Sequence, residues 1–337
     1  MAMGAQHMQQ LQQLMGTDTS IREFHIYQSL ARFTPSDIAN WLHTEGGIVG
    51  QNAAVQAVAS TLYSHFHYPL RPKQNLLLIG STGCGKSEIM RAVQRFFDVN
   101  IGQTMGPKFV RSCDGSQLNA SGWRGGVKLA DVLRGIKMPF GAVVFIDEFD
   151  KACAERYAGN NSGGSWSVSE MIQSQLLTAL DHQVVQLSGD DGQPFTVDCQ
   201  KVSIVCMGAF ASALERKRLQ AERRSIGFAS SAAPSAAISA ADISADDLSL
   251  MSEVYGRIQP IIMDEISPDM MLAIAQRQVK TLCDTTELHI SVPESKLRLW
   301  AEEAFSSGQG GRSIMKKLQT ALDERIFADP YSDMYIL

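Results

Sequence analysis

The residues from Gly80 to Ser87 combine glycines, a lysine and hydroxyl groups at a spacing that suits phosphate chemistry. The segment reads Gly80-Ser81-Thr82-Gly83-Cys84-Gly85-Lys86-Ser87 and matches the pattern GxxxxGK[ST] at every fixed position. Glycines allow backbone N–H groups to turn inward around phosphate oxygens, and the lysine reaches the β- and γ-phosphates. The serine hydroxyl is a ligand for Mg²⁺. The pattern therefore predicts a site for ATP and Mg²⁺.

The alternative is a glycine-rich turn without a ligand, and the flanking residues argue against it. Asn75–Ile79 (NLLLI) is a short apolar run that ends at the first glycine, as a buried parallel strand does. Ser87–Phe97 has helical spacing, and the positive end of such a helix points at the same phosphates. A strand before the loop and a helix after it favour the phosphate site.

Two acidic residues, Asp147 and Glu148, follow another apolar run, Ala142–Ile146 (AVVFI). Beside the phosphates, Asp147 would ligate Mg²⁺ through water, and Glu148 would polarise the attacking water as a general base. A strand that ends in two acids is common by itself, and a single acid often only complements a helix N-terminus. Together with the phosphate loop, the pair favours ATP hydrolysis.

The composition is that of an ordinary globular protein, and 337 residues predict two domains. A net charge of −5 creates no field that attracts nucleic acid, so we expect no such partner. No apolar run approaches the ~18 residues of a membrane span, and the N-terminus lacks a signal-peptide pattern. Six scattered cysteines without a CxxC pair indicate a reducing, cytoplasmic compartment: Cys84, Cys113, Cys153, Cys199, Cys206 and Cys283.

Apolar runs alternate along the chain with stretches of helical spacing. Further strands are predicted at Phe109–Arg111, Val202–Val205 and Gln259–Met263. Helices are predicted from Thr34-Pro35 onward and within Ile48–Phe66. This alternation predicts an α/β fold, a P-loop domain with a parallel sheet and helices on both of its faces.

The predicted organisation has three parts: an N-terminal appendage (1–34), a large ATP-binding domain (35–263) and a small, mostly α-helical domain (264–337). The last part begins with a helix capped by Ser267-Pro268. Two low-complexity stretches interrupt the large domain. Ala158–Ser169 is predicted as a flexible loop, and Ala229–Ala245 is predicted to be poorly ordered.

The phosphate loop with its strand, and the segment Phe145–Lys151 (FIDEFDK), resemble the AAA+ protein unfoldases ClpX and HslU over about residues 47–325. The resemblance implies a homo-hexameric ring with ATP at the subunit interfaces and protein substrates pulled through its centre. It also implies that Ile48 and Val49 pack against adenine and that Cys206–Phe210 closes the sensor-1 strand.

Two further segments fit the family's moving parts. Tyr255-Gly256-Arg257-Ile258 resembles the segment whose arginine reaches the γ-phosphate held by the neighbouring subunit, which assigns that role to Arg257. The alternative for a lone arginine is a surface ion pair. Ser121–Gly126 lies in the slot of the first pore loop, which implies that Trp123 and Arg124 contact the substrate. The alternative for Trp123 is a place in the core.

Ser225-Ile226-Gly227-Phe228 resembles the loop with which ClpX docks on its peptidase, and this favours ClpX over HslU. An apolar tip within a polar insertion usually binds another molecule. The resemblance implies that Ile226, Gly227 and Phe228 contact a ClpP-type peptidase ring.

The sequence departs from the family at three places. The N-terminal zinc-binding domain is expected to be missing, and Leu187–Thr196 offers no counterpart of the basic loop near the pore entrance. In the sensor-2 pattern G-A-R-x-x-R, Gln309 replaces the first arginine and Arg312 keeps the second. Either Arg312 substitutes in nucleotide binding, or coupling between nucleotide and small domain is weaker.

The expected function is ATP-dependent unfolding and translocation of proteins, with delivery to a ClpP-type peptidase as one outcome. Two alternatives stay open: a remodeller of protein complexes that acts without a peptidase, and an ATP-gated scaffold with little hydrolysis. Steady-state ATPase turnover separates the scaffold from both motors, and co-purification of a peptidase separates the motors from each other.

Overall fold

Five parallel strands form the central sheet of the protein. The computed structural model describes residues 26, 28–68, 71–103, 105–120, 126–136, 141–154, 157–159, 165–188, 191–225, 238–308 and 310–337. The strands of this sheet are β1 (Leu76–Ile79), β2 (Val110–Asp114), β3 (Ala142–Asp147), β8 (Val202–Gly208) and β9 (Gln259–Ile262). Their order is β2-β3-β8-β1-β9, and every neighbouring pair is parallel. The predicted α/β fold with a parallel sheet is therefore confirmed.

Three smaller strand pairs and a set of α-helices accompany this sheet in the described residues. The antiparallel hairpins are β4 (Tyr157–Gly159) with β5 (Ser165–Ser167) and β6 (Val184–Ser188) with β7 (Pro194–Asp198), and β10 (His289–Ser291) pairs in parallel with β11 (Met334–Ile336). The helices are α1 (Pro35–Thr44), α2 (Asn52–His67), α3 (Lys86–Asn100), α4 (Gly106–Phe109), α5 (Leu129–Leu133), α6 (Phe149–Cys153), α7 (Val168–Leu180), α8 (Ala211–Ser225), α9 (Ser252–Tyr255), α10 (Pro268–Thr286), α11 (Glu294–Ser306) and α12 (Gly311–Ala328). In the part of the chain described, none of these helices is long and apolar enough to cross a membrane.

The continuous apolar runs become strands that are buried on both faces. Every residue of β1 and of β8 is buried. One apolar core, which includes Leu77 and Phe149, covers one face, and a second core, which includes Leu78 and Phe96, covers the other. A sheet without polar alternation needs helices on both sides, and this explains why α/β layering follows from the sequence.

The helix starts follow local backbone chemistry. α1 begins where predicted, because Thr34 and Asp37 form a reciprocal capping box. α2 begins only at Asn52, later than the apolar spacing of Ile48–Phe66 indicates. Three residues before it have positive φ and interrupt the helical path: Gly47 (75°), Gly50 (64°) and Gln51 (58°).

The structure corrects both low-complexity predictions. A flexible loop at Ala158–Ser169 is wrong in part, because portions of β4, β5 and the start of α7 fall within it. Poor order at Ala229–Ala245 is wrong for residues 238–245, where a 3₁₀ turn spans Ala240–Asp242 and Ile243 is buried in the core. Ile238 and Ala245 pack against the same core beside Ile243, so apolar contacts anchor the segment.

The end of the predicted N-terminal appendage packs onto the large domain. Leu30 is buried, and the ring centroids of Phe33 and Phe96 lie 5.0 Å apart. These two residues of the 1–34 segment therefore contribute to the core of the α/β part.

The C-terminal helices α10, α11 and α12 enclose a core of their own. It includes Ala275, Ala301, Leu318 and, from β11, Tyr335. The residues between β9 and α10 connect this core to the sheet. The division into domains at residue 263 stays a prediction.

Candidate functional site

The phosphate loop connects the C-terminal end of β1 to the start of α3. Gly83 and Gly85 have φ values of 86° and 104°, which glycine adopts at little cost. Gly85 is the N-cap residue of α3, so the free N–H groups of the first helical turn begin in the loop. Ser81 and Thr82 are exposed, so the loop is open to solvent on that side. This is the arrangement that anion binding at a helix start requires.

Cys84 anchors the loop in the protein interior. Its side chain is 2% exposed, and its Sγ lies 3.7 Å from Met263 Sδ. Burial raises the pKa of the thiol. Cys84 is therefore an apolar anchor, since a reactive cysteine needs an exposed thiol with a lowered pKa.

The ammonium group of Lys86 lies within the loop. Its Nζ donates to the carbonyl oxygen of Gly80 at 2.5 Å and to that of Ser81 at 2.9 Å. These carbonyl contacts hold a positive charge at the point where the phosphates are expected to bind.

Ser87 and Asp147 meet although they lie far apart in the sequence. The Ser87 hydroxyl donates to Asp147 Oδ2 at 2.6 Å. Hydroxyl and carboxylate oxygens are the hard ligands that suit Mg²⁺, so the donor set fits the predicted ion. Both residues are half-buried, which leaves one side of the pair accessible.

Glu148 forms a strained turn directly after β3. Its φ is 48°, a left-handed value that costs a non-glycine residue about 1–3 kcal/mol. Its N–H donates to Asp147 Oδ1 at 2.9 Å, and its side chain is exposed. Such strain concentrates at functional sites, which favours the catalytic interpretation of this acid.

Gly115 supports this turn from the neighbouring strand and was not predicted as a site residue. A Cβ at this position would lie 2.7 Å from Glu148 O and 2.9 Å from Asp147 O. Asp114, just before it, is the register partner of Asp147. No motif marks Gly115, because the contact arises only when β2 pairs with β3.

The predicted adenine segment leads into a residue that touches the phosphate loop. Ile48 is buried and Val49 is half-buried. Gln51 Nε2 donates to the carbonyl oxygen of Cys84 at 3.1 Å. A contact of Ile48 and Val49 with adenine stays a prediction. No motif marks Gln51 in the sequence, because its hydrogen bonds join segments that are distant along the chain.

The first residues of α12 approach the phosphate loop from the C-terminal core. A Cβ on Gly310 would lie 3.3 Å from both Cα and O of Gly83. The φ and ψ of Gly310 are 63° and −163°, a combination essentially restricted to glycine. Arg312 is exposed in the first turn of α12, so its contact with nucleotide stays a prediction.

Arg257 lies at the end of the sheet opposite its own phosphate loop. Its carbonyl oxygen accepts from Asn75 Nδ2 at 3.4 Å, and Asn75 precedes β1 whereas the loop follows it. At about 3.3 Å per residue, the strand path from Asn75 to Gly80 spans about 16 Å. The Nε of Arg257 donates to Asp181 Oδ1 at 2.5 Å. This is the surface ion pair that the sequence left open as the alternative role of Arg257. Arg257 therefore cannot serve the ATP site of its own chain.

β8 lies between β1 and β3 and ends beside both parts of the site. The Gly208 carbonyl accepts from Gly80 N at 3.2 Å. Cys206, Met207 and Gly208 are buried, and none carries a hydroxyl or amide side chain. The predicted sensor-1 strand thus offers the nucleotide no polar side chain from these residues.

Several predicted residues cannot be placed. The pore residues Trp123 and Arg124, the docking residues Ile226, Gly227 and Phe228, and the sensor-2 residue Gln309 lie outside the described residues.

The phosphate loop and the acidic turn lie within a region that matches a known family. Residues 76–228 match the family described as ATPase family associated with various cellular activities (AAA). The chain is 24% identical to the ATP-dependent Clp protease ATP-binding subunit ClpX of Azotobacter vinelandii, over 86% of this chain and 73% of that protein. It is 22% identical to ClpX of Treponema denticola, over 88% of this chain and 77% of that protein. It is also 22% identical to chaperone protein ClpB of Corynebacterium glutamicum, over 83% of this chain but 29% of that protein.

The contact between Gly310 and Gly83 predicts a difference between two neighbouring glycines. Gly310→Ala should lower the free energy of unfolding by about 1–3 kcal/mol and weaken ATP binding by about tenfold, because the added Cβ presses on the phosphate loop. Gly308 is the matched control: its φ is 66°, but a Cβ there meets nothing within 4 Å. Gly308→Ala should cost only about 1–2 kcal/mol of backbone strain and leave ATP affinity intact. Urea unfolding and titration with a fluorescent ATP analogue measure both quantities, and equal ATP affinity in the two variants would contradict the contact.

Proposed function

We propose that this chain, a ClpX-like AAA+ ATPase, couples ATP hydrolysis to the unfolding and translocation of protein chains. The hydrogen bond between Ser87 and Asp147, 2.6 Å long, carries the proposal because it joins the phosphate loop and the acidic turn in one site. Phosphate binding, ion binding and a general base then lie at one edge of the sheet, as hydrolysis of a nucleoside triphosphate requires.

In the hydrolysis step, the oxygen of a water molecule bonds to the γ-phosphorus while the bond to the β,γ-bridging oxygen breaks. The water proton passes to the carboxylate of Glu148, and ADP leaves with the bridging oxygen. Lys86 holds the phosphate oxygens. Mg²⁺, held by Ser87 and Asp147, would neutralise charge on the phosphates.

The active assembly we propose is a homo-hexameric ring with ATP between subunits. The position of Arg257 supports it, since this residue lies about 16 Å along the sheet from its own loop and is free to act only on a neighbour. Its side chain is 40% exposed and paired with Asp181. An exposed ion pair of this kind contributes little free energy. Arg257 therefore loses little when it leaves Asp181 for the γ-phosphate of a neighbouring subunit.

The proposed work is the pulling of a protein chain past Trp123 and Arg124, in the cytoplasm. The relatives named ClpX are ATP-binding subunits of a protease, which supports a ClpP-type peptidase as partner. α8 ends at Ser225, directly before the proposed docking residues Ile226, Gly227 and Phe228.

A second candidate keeps the motor without the peptidase. The similarity to chaperone protein ClpB over 83% of this chain supports a remodeller of protein complexes. A scaffold with little hydrolysis has weaker support: the exposed position of Arg312 and the apolar end of β8. Steady-state ATP turnover would exclude the scaffold. Binding to a ClpP-type peptidase would exclude the remodeller that acts without a peptidase.

Glu148→Gln tests the general base. Turnover should fall by about 10²- to 10⁴-fold with ATP binding retained, because an amide cannot accept the proton of water. The matched control is Glu88→Gln, since Glu88 is next to Ser87 but pairs with Arg91 and Arg95. A coupled assay of ADP release and a binding titration give both values. Turnover at the wild-type rate in Glu148→Gln would show that another group is the base.

Arg257→Ala tests the shared site. ATPase activity should fall by roughly 10³-fold, as for other arginines that stabilise phosphoryl transfer from a neighbouring subunit. Mixing Arg257→Ala with Glu148→Gln chains should restore part of it, because some interfaces then combine both intact residues. Arg298→Ala is the control, since Arg298 is similarly exposed and pairs with Glu294 on the C-terminal helices. A dilute monomer with full activity would exclude the ring.

Trp123→Ala tests the grip on the substrate. Unfolding of a tagged fluorescent protein should be lost while ATP binding and melting temperature stay at wild-type values, because grip and hydrolysis use different residues. Trp41 provides the contrast, since its ring packs on Phe96 with centroids 5.3 Å apart. Trp41→Ala should lower the melting temperature. If Trp123→Ala lowers it to the same extent, Trp123 belongs to the core.

A further inference from the structure

The side chain of Gln51 joins the phosphate loop to the segment that leads to the C-terminal helices. Its Nε2 donates to Cys84 O at 3.1 Å and to Asp264 O at 2.9 Å. Its Oε1 accepts from Asp264 N at 2.9 Å. Only 1% of the residue is exposed. One buried carboxamide therefore ties together three segments that are distant in sequence.

The local conformation of Gln51 serves these contacts and not its own helix. Gln51 is the N-cap residue of α2, yet its side chain makes no capping hydrogen bond. Its φ of 58° is left-handed, which costs about 1–3 kcal/mol in a non-glycine residue. The hydrogen bonds of the Gln51 side chain with Cys84 and Asp264 therefore offset the cost of this backbone conformation.

The contact with Cys84 reaches the peptide group that faces the phosphates. The carbonyl of Cys84 and the N–H of Gly85 belong to the same peptide plane, and peptide groups are rigid. Gly85 is the N-cap residue of α3, whose N–H groups are the expected phosphate donors. A phosphate bound at the Gly85 N–H therefore also fixes the Cys84 carbonyl oxygen, which accepts the hydrogen bond from Gln51.

The contact with Asp264 lies at the start of the connection to α10. The preceding residue, Met263, donates its N–H to Ile79 O at 2.8 Å and so ends the sheet. Three residues beyond Asp264, Ser267 caps α10 by accepting from Met270 N at 3.1 Å. The orientation of α10 thus depends on a short segment that Gln51 holds at its first residue.

We propose that Gln51 is a positioning residue that couples nucleotide at the phosphate loop to the orientation of α10 and the C-terminal helices. The proposal rests on the proposed ATP binding and adds the route by which binding moves the helical part. A neutral carboxamide makes both donations and the acceptance at once, which neither an apolar side chain nor a carboxylate can do. Coupling of this kind is reciprocal, so the position of α10 also sets part of the ATP affinity.

Hydrogen exchange with and without ATPγS and Mg²⁺ tests the coupling in the full chain. The reporters are the backbone amides of Ser267 and of Asp269, Met270 and Met271, none of which bonds to Gln51. In the wild type, ATPγS should slow their exchange by about fivefold or more, the lower range of allosteric coupling. In Gln51→Met that effect should vanish, while amides of residues 85–91 still gain protection from bound nucleotide.

Gln173 provides a matched control within the same chain. It is 3% exposed, its Nε2 donates to Ser249 O at 3.1 Å, and its Oε1 accepts from Met251 N at 2.7 Å. Gln173→Met removes an equivalent buried bridge outside the nucleotide site. Both variants should lose stability, but only Gln51→Met should lose the nucleotide effect on residues 267–271 and show a change of about fivefold in its affinity for ATPγS, as reciprocal coupling requires. A stabilising role alone would affect both variants alike.

The outcomes separate this proposal from the proposed function. If wild-type residues 85–91 gain no protection with ATPγS, ATP binding fails and the coupling fails with it. If they gain protection but residues 267–271 do not respond, or respond equally in Gln51→Met and Gln173→Met, the coupling alone is overturned. Should Gln51→Met not fold, Gln51→Asn decides, because it keeps a polar carboxamide but is one methylene too short to reach both Cys84 O and Asp264. It should abolish the response of residues 267–271, and a wild-type response would overturn the proposal.

Discussion

The candidate site of this protein depends on β8, which lies between β1 and β3 and pairs in parallel with both. Neighbouring strands lie about 4.8 Å apart, so the two strands that carry the site are roughly 10 Å from each other. Ser87, in the first turn of α3, closes that gap and reaches Asp147 at 2.6 Å. Because all three strands run in one direction, the phosphate loop and the acids emerge at the same edge.

Close backbone contacts then fix the site in place. Gly115 fits against the carbonyl groups of Asp147 and Glu148, and Gly310 fits against Gly83. A Cβ at Gly115 would overlap these carbonyl groups, and a Cβ at Gly310 would press on Gly83, so both positions favour glycine. Gln51 adds a polar link of the same kind between the loop and Asp264. Residues that bind no nucleotide therefore determine the geometry of those that do.

The structure of one chain also shows how far Arg257 lies from the phosphate loop of that chain. Arg257 is held at the far end of the sheet by the contact of its carbonyl with Asn75 and by its pair with Asp181. No side-chain rotation moves it across the sheet to its own loop. The end of β8, which is apolar from Cys206 to Gly208, contributes no polar group either. An arginine from another chain could add charge stabilisation that Arg257 of the same chain does not reach, and this is the physical basis for proposing a ring.

The sequence by itself determined the chemistry and the order of the elements. The phosphate loop, the acids after Ile146 and the apolar runs follow from local spacing, because turns, helix starts and buried strands each leave a pattern within about ten residues. Contacts between distant segments leave no such pattern. Gly115 and Gln51 were not predicted as site residues, and the start of α2 was placed too early, because each depends on what another segment brings to it. Likewise, only the tertiary structure decided that Ile243 anchors a segment rich in Ala and Ser, and that Arg257 lies out of reach of its own site, since burial and distance are properties of the packed chain.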